Sequence, residues 1–190
     1  MHEILYGRQA VRESLCARRR HPFRLLLAEG NANAPILDDI VDVAKGKGLP
    51  IQFLPRHELA HIAGTDNHQG VALETSLYPY TTSEDMLMLA HQRSEAPFLL
   101  ILDLIQDVHN LGSLIRTAEA VGVHGILVQE RRAAGITPAA VNTSSGATEH
   151  LYIARVTNLA REIDALKAAE VWIAGLEDTQ DAEPLSLIHI

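Results

Sequence analysis

The sequence predicts an α/β fold, a small α/β domain followed by a domain built on a parallel sheet. Three observations carry this. Stretches whose apolar residues recur three and four apart alternate with short apolar runs, the pattern of helices alternating with strands. The run FLLILDLI at 98–105 is almost continuously apolar, as strands covered on both faces of a parallel sheet are. A helix-like stripe and another strand-like run follow it, and strand–helix–strand repetition builds parallel sheets.

Each element follows from its own pattern. GRQAVRESLCARRR places Ala10, Val11, Ser14 and Leu15 on one helical stripe and leads into the strand-like FRLLLA. APILDDIVDVAKGKG gathers Ile36, Leu37, Ile40, Val41 and Ala44 on one face and stops at glycines, as helices do. PIQFL and GVALETSL read as strands, with a short helix and loop between them, closing a first domain over 1–77. Residues 78–97 form a linker with one helix, for which Ser83, Glu84 and Asp85 provide the start and Pro97 the end. The second domain, 98–190, opens with FLLILDLI. NLGSLIRTAEAVG follows, with Leu111, Leu114, Ile115, Ala118 and Val121 on its inner stripe. Strand HGILVQ, loop RRAAGITP, helix NLAREIDALKAAE and strand VWIAGL complete the order. Ligands of such sheets bind beyond the carboxyl ends of the strands.

Composition narrows the class. The 190 residues are 47% hydrophobic and 21% charged, which excludes a disordered chain. No run approaches the roughly 18 apolar residues of a membrane span, and MHEILYGRQA lacks a signal-peptide core. Cys16 is the only cysteine, so no internal disulfide forms. Cytoplasm is the expected compartment. A net charge of −8 argues against a broad nucleic-acid surface. The first 24 residues nevertheless carry Arg8, Arg12, Arg18, Arg19, Arg20 and Arg24 against Glu3 and Glu13, and a local basic patch binds RNA on an acidic protein. A solvated helix end is the competing reading. Aromatics at 4% make stacking on aromatic platforms a minor mode.

Two motifs compete for the chemistry. HELAHIAGTDNH at 57–68 contains H-E-x-x-H, a zinc-protease pattern. Pro55 and Gly64 leave the helix barely two turns, His68 falls one residue beyond the longer zinc pattern, and ten histidines make chance matches easy. No metal is expected. The second motif is LDLIQDVHNLGSLIRTAEAVGVHGILV at 102–128. Here a buried strand ends in polar residues, Asn110 suits a helix N-cap, and Gly112 permits close approach of a ligand or backbone. Arg116 stands six residues beyond Asn110. An ordinary capped helix with a solvated arginine is the bland alternative. No nucleotide-binding glycine loop is present.

HNLGSLIRTAEAVGVHG resembles motif 1 of the SpoU/TrmH family of S-adenosylmethionine-dependent RNA ribose 2′-O-methyltransferases, within the SPOUT superfamily. GITPAAVNTSSGATEHLYIARVTNLARE continues the resemblance, and ILYGRQAVRESL and HQGVALE are similar to the family's ribosomal-protein-like RNA-binding domain. The resemblance covers residues 3–176 and is closest to the RlmB type, which methylates a guanosine in large-subunit (23S) ribosomal RNA. It implies Asn110 and Arg116 as catalytic residues, and Gly175 and Leu176 at the donor pocket. RNA contacts are expected from Arg18, Arg19, Arg20 and the His68–Gln69 turn. The implied cofactor is S-adenosylmethionine, the partner structured RNA, and the assembly a homodimer. Two departures stand out: Val108 where the family usually has proline, and the lack of the lysine that many relatives have near Asn142.

The family's last two motifs, which form a trefoil knot around the methyl donor, are not expected in this chain. Its final LSLIHI resembles neither motif, and one reverse translation of it reads like a transposon-end adapter. The sequence is therefore read as lacking the knot portion and as an inactive fragment. A non-catalytic RNA-binding protein and a zinc hydrolase using His57 and His61 are the alternatives from other classes.

Overall fold

A computed structural model of the chain describes residues 2–31 and 34–176. They fall into two compact units, Met1–Thr157 and Asn158–Ile190. The first unit contains two sheets. The expected non-native tail, 185–190, lies outside the described residues.

The N-terminal sheet is built from β1 (His2–Tyr6), β2 (Pro22–Ala28), β3 (Ile51–Leu54) and β4 (Val71–Ser76), in the order β1-β4-β2-β3. β4 runs antiparallel to both β1 and β2, whereas β3 pairs parallel with β2. α1 (Arg8–Ala17) and α2 (Pro35–Gly46) connect the strands. The stripe read on α1 is buried whole, Ala10, Val11, Ser14 and Leu15; on α2 Leu37, Ile40 and Ala44 are buried, and Ile36 and Val41 only partly so. The short α3 (Arg56–Ala63) covers the other face, where Leu59 meets Leu26, Ala28, Leu54 and Ala72.

α4 (Ser83–Arg93) starts at Ser83, as the sequence suggested. Thr82 is its cap: the Thr82 hydroxyl accepts from Asp85 N–H, and the Asp85 carboxylate accepts from Thr82 N–H at 3.0 Å. This reciprocal pairing satisfies two donors at once. The preceding segment is fastened to the second sheet, with Thr81 N–H donating to the Ile153 carbonyl at 3.0 Å.

The second sheet is wholly parallel, β5 (Leu99–Leu102), β6 (Gly125–Gln129) and β7 (Tyr152–Val156) in that order, with α5 (Val108–Ala120) and α6 (Pro138–Thr143) between strands. Two expectations are corrected here. FLLILDLI is only partly buried, because β5 is an edge strand among the described residues; the fully covered strand is the central β6. VWIAGL forms no strand, and Trp172 is 95% exposed. β-propensity describes fit to a half-buried pleated surface, and 171–176 has no ladder partner among the described residues. The strand that completes the sheet is YIARV.

One apolar cluster runs from Leu5, Val11, Leu25 and Leu73 through Tyr78 to Leu111, Ile115, Ile126 and Ile153. Both sheets therefore share core across the first unit. The second unit contains α7 (Leu159–Ala168), whose cap Asn158 accepts from Arg161 N–H at 3.0 Å.

Candidate functional site

α5 carries the residues implied as catalytic. Its N-cap is Asp107, not Asn110: the Asp107 carboxylate accepts from Asn110 N–H at 2.7 Å. Asp and Asn cap about equally well, and the helix extends back to include Val108 and His109. Asn110 therefore sits in the first turn with its amide side chain exposed, next to the carboxyl end of β5.

Arg116 is also exposed, and among the described residues it has no hydrogen bond or ion pair. Six helical positions separate the two by about 9 Å of rise and about 240° of turn. Asn110 thus does not hold Arg116 by direct contact; α5 presents them as two separate groups. The loops around this sheet edge are tied together. Leu104 N–H donates to the Gln129 side chain at 3.1 Å, Ala134 N–H to the Ile105 carbonyl at 2.8 Å, and Arg155 to the Glu130 carbonyl at 3.2 Å.

Gly112 serves backbone approach rather than a ligand. A Cβ there would lie 2.7 Å from Thr143 Cβ and Cγ2 and 3.0 Å from Ser144 N, so α5 meets the end of α6 only because the side chain is absent. Gly112→Ala is expected to force the helices apart at a cost of about 1–3 kcal/mol. Thermal unfolding of the variant checks this, and an unchanged midpoint would show that the contact yields freely.

The five residues expected to contact RNA separate sharply. Arg18 is exposed in the left-handed region (φ 57) at the end of α1. Arg19 turns inward: it donates to the Leu151 carbonyl and, at 3.1 Å, to the Tyr78 hydroxyl, and lies over the rings of Tyr78 and Tyr152. Arg20 is buried, its Nε donating to both Glu149 oxygens (3.1 and 2.8 Å) and its Nη1 to Glu3 and the Ser76 carbonyl. A buried guanidinium with its charge already paired is not available to a phosphate, which corrects the reading of Arg20 and weakens that of Arg19.

His68 is corrected on the same ground. It is buried, and its Nδ1 accepts from Gly70 N–H at 3.0 Å. Gln69 is exposed, but its side-chain oxygen accepts from Arg8 N–H at 3.0 Å and its carbonyl from Arg8 Nε at 3.1 Å. Gln69 therefore caps the otherwise uncapped start of α1. HQG is first of all a structural turn.

Burial, then the nearby Arg56, pushes His68 below its ordinary value of 6.5, with Asp66 opposing. The unfolded chain takes up a proton near 6.5 that the native state refuses until lower pH. This contribution to stability is complete above that value and is lost as pH falls toward the folded value. Urea midpoints should decline between about pH 7.5 and about pH 5.5, and less steeply in His68→Gln, which keeps an acceptor for Gly70. Equal slopes in the two proteins would remove His68 as the cause.

Sequence reasoning missed the partners. Nothing local marks Glu149 or Glu3 as counter-ions for Arg20, or Asn142 as the donor to the Tyr6 carbonyl at 3.0 Å. His57 and His61 are exposed on α3. Among the described residues no group of three or more His, Cys, Asp or Glu is placed to hold a metal, and no helix is long and apolar enough to cross a membrane. Gly175 and Leu176 belong to the second unit, apart from the unit that contains Asn110 and Arg116. There they are exposed, and a Cβ on Gly175 would meet no atom within 4 Å.

Comparison with known proteins is consistent with this layout. The profile for RNA 2′-O ribose methyltransferase substrate binding matches residues 4–81, and that of the SpoU rRNA Methylase family matches 97–189. YacO of Bacillus subtilis (strain 168), assigned to the TrmH family of tRNA/rRNA methyltransferases, is 40% identical over 176 residues, which are 93% of this chain and 70% of YacO. The chain belongs to the SpoU/TrmH family. A TrmH family relative in Staphylococcus aureus (strain MSSA476) is 36% identical over 174 residues, 92% of this chain and 69% of its own length.

Two solved structures share the fold of this SpoU/TrmH member. One is an AdoMet-bound rRNA methyltransferase from Sinorhizobium meliloti, at 22% identity and TM-score 0.65, covering 88% of this chain. The other is the SpoU methyltransferase AviRb from Streptomyces viridochromogenes in complex with AdoMet, at 18% identity and TM-score 0.67, covering 89%. The chain spans 59% of each of those two proteins.

Proposed function

We propose that this SpoU/TrmH chain serves S-adenosylmethionine-dependent methylation of a ribose 2′-OH in structured RNA, with a guanosine of 23S ribosomal RNA as the target. The observation that carries this reading is Arg116: an exposed guanidinium, unpaired among the described residues, on α5, the helix that follows the first strand of the parallel sheet. The cofactor, when bound, supplies the methyl group.

The remaining chemistry falls to protein groups. A guanidinium stays protonated in proteins and is a poor base. Arg116 therefore acts by stabilising the oxyanion that develops on the ribose oxygen as its proton passes to water, or by anchoring the adjacent phosphate through its two-pronged donor face. Asn110 orients the ribose from its own position on the first turn. Holding the hydroxyl in line with the donor supplies much of the rate. Arg18 contributes charge to RNA binding. Homodimerisation and a cytoplasmic location belong to the same reading.

The 190-residue polypeptide by itself is proposed to be inactive. Gly175 and Leu176, expected at the donor pocket, are exposed, and a Cβ on Gly175 would meet no atom within 4 Å. Losing about half of a ligand's enclosure forfeits several kcal/mol, and each 1.4 kcal/mol is about tenfold in Kd. Calorimetric titration of the 190-residue chain with S-adenosylmethionine should detect no micromolar binding; stoichiometric micromolar binding would refute the inactivity. For the activity itself, residues 1–176 continued by the C-terminal portion of YacO form a testable chimera. It should transfer tritiated methyl groups to large-subunit ribosomal RNA in preference to transfer RNA. Equal labelling of both would remove the ribosomal target.

A further inference from the structure

We infer that Arg20 and Glu149 are positioning residues, a clasp that fixes the N-terminal sheet at a set offset from α5. The functional consequence rests on the methyltransferase reading; the clasp itself does not.

Both side chains are fully buried, 0% exposed each. Glu149 lies in the short 3-10 turn Ala147–Glu149 that precedes β7, whereas Arg20 lies between α1 and β2. The Arg20 guanidinium also reaches Glu3 on β1 and the Ser76 carbonyl at the end of β4. One planar group thus ties two strands of the first sheet to the turn that feeds the second. Its face lies 5.0 Å from the centre of the Tyr78 ring, and the Tyr78 hydroxyl donates to the Leu151 carbonyl at 2.8 Å. Burial pushes the Tyr78 phenol up, so it remains a neutral donor.

Charge, rather than more apolar surface, is the informative feature at this junction. An apolar contact holds two bodies together without fixing their direction. A buried ion pair adds little net stability compared with well-packed apolar residues, and its attested use is to specify one arrangement. Because the guanidinium fork accepts partners only in its own plane, a rotation between the sheets breaks several bonds together. α5 meets this junction through α6: Gly112 abuts Thr143, and the neighbouring Asn142 donates to the Tyr6 carbonyl. RNA held by the first sheet would therefore be offered to Arg116 at a fixed span, and the clasp would act as a ruler in target selection.

The test measures distance, with the chain folded and no RNA or cofactor present. Cys16 is exposed on α1 and is the only cysteine; Glu119→Cys adds a second label on the exposed side of α5. Pulsed electron resonance on the labelled 190-residue protein should give one narrow distance distribution. Arg20→Met with Glu149→Met, which removes both charges and roughly keeps volume, should broaden it about twofold, since the shared apolar core then holds the sheets together without the in-plane bonds that fix their angle. Arg20→Lys, a charge without the fork, should broaden it as well.

A broad distribution in the parent protein overturns the inference. So does an unchanged narrow one in the folded double variant. Should the double variant not fold, Glu149→Gln decides, because an unaltered width there also overturns it. None of these readings involves methyl transfer, so the clasp and the activity fail separately.

Discussion

Arg116→Ala in the YacO chimera is expected to lower methyl transfer about 100-fold or more while leaving the fold intact. The magnitude follows from the loss of one preorganised donor at a developing oxyanion. Stability should change by only about 0.5 kcal/mol, because the side chain is exposed on α5 and unpaired among the described residues. Turnover with tritiated donor and a thermal melt, run on the same preparation, separate the two effects. Wild-type turnover would remove Arg116 from the chemistry. A lowered melting point together with lost turnover would make its role structural.

Arg20→Ala is the counterpart, with a large effect on stability and an indirect one on binding. It leaves the Glu149 carboxylate buried without its cation, and such uncompensated charges cost about 3–5 kcal/mol. That is a large share of the roughly 5–15 kcal/mol by which domains of this size are stable. Urea unfolding at neutral pH measures it. A loss below about 1 kcal/mol would mean that Glu149 finds water or another partner, and that the burial is not enforced. Arg18→Ala, only two residues away, should be nearly silent in the same experiment because Arg18 is exposed.

The contrast between these neighbouring arginines explains what was legible. Local periodicity was enough for most of α1, α2 and α5, because Val11 and Leu15, Ile40 and Ala44, and Leu111 and Ile115 bury themselves at helical spacing. Val121, read on the inner stripe of α5, instead caps its end and is 59% exposed. The consecutive arginines 18–20 read as a basic patch for the same local reason, yet their environment is set by distant chain. The partners of Arg20 lie 17 and 129 residues away, and no local pattern encodes that pairing.

Two further misreadings turn on which backbone and side-chain groups are paired. VWIAGL has strand-forming residues but no ladder partner among the described residues, whereas YIARV obtains its partner from β6. His68 and Gln69 look like an exposed polar turn, but Gly70 and Arg8 occupy their acceptors. For the site itself, Asn110 and Arg116 both lie exposed on α5. Only the capping role moved, to Asp107, since both residue types at three-residue spacing suit an N-cap.

Alkaline digestion of the labelled RNA reads directly whether the methyl group sits on a ribose oxygen. Cleavage by alkali requires a free 2′-OH beside the phosphodiester, so a 2′-O-methylated nucleotide survives as part of an alkali-stable dinucleotide. After reaction of the chimera with tritiated donor and large-subunit ribosomal RNA, the label is expected in one alkali-stable dinucleotide beginning with guanosine, and absent with Arg116→Ala. Label recovered in alkali-released mononucleotides would place the methyl group on a base and contradict the account.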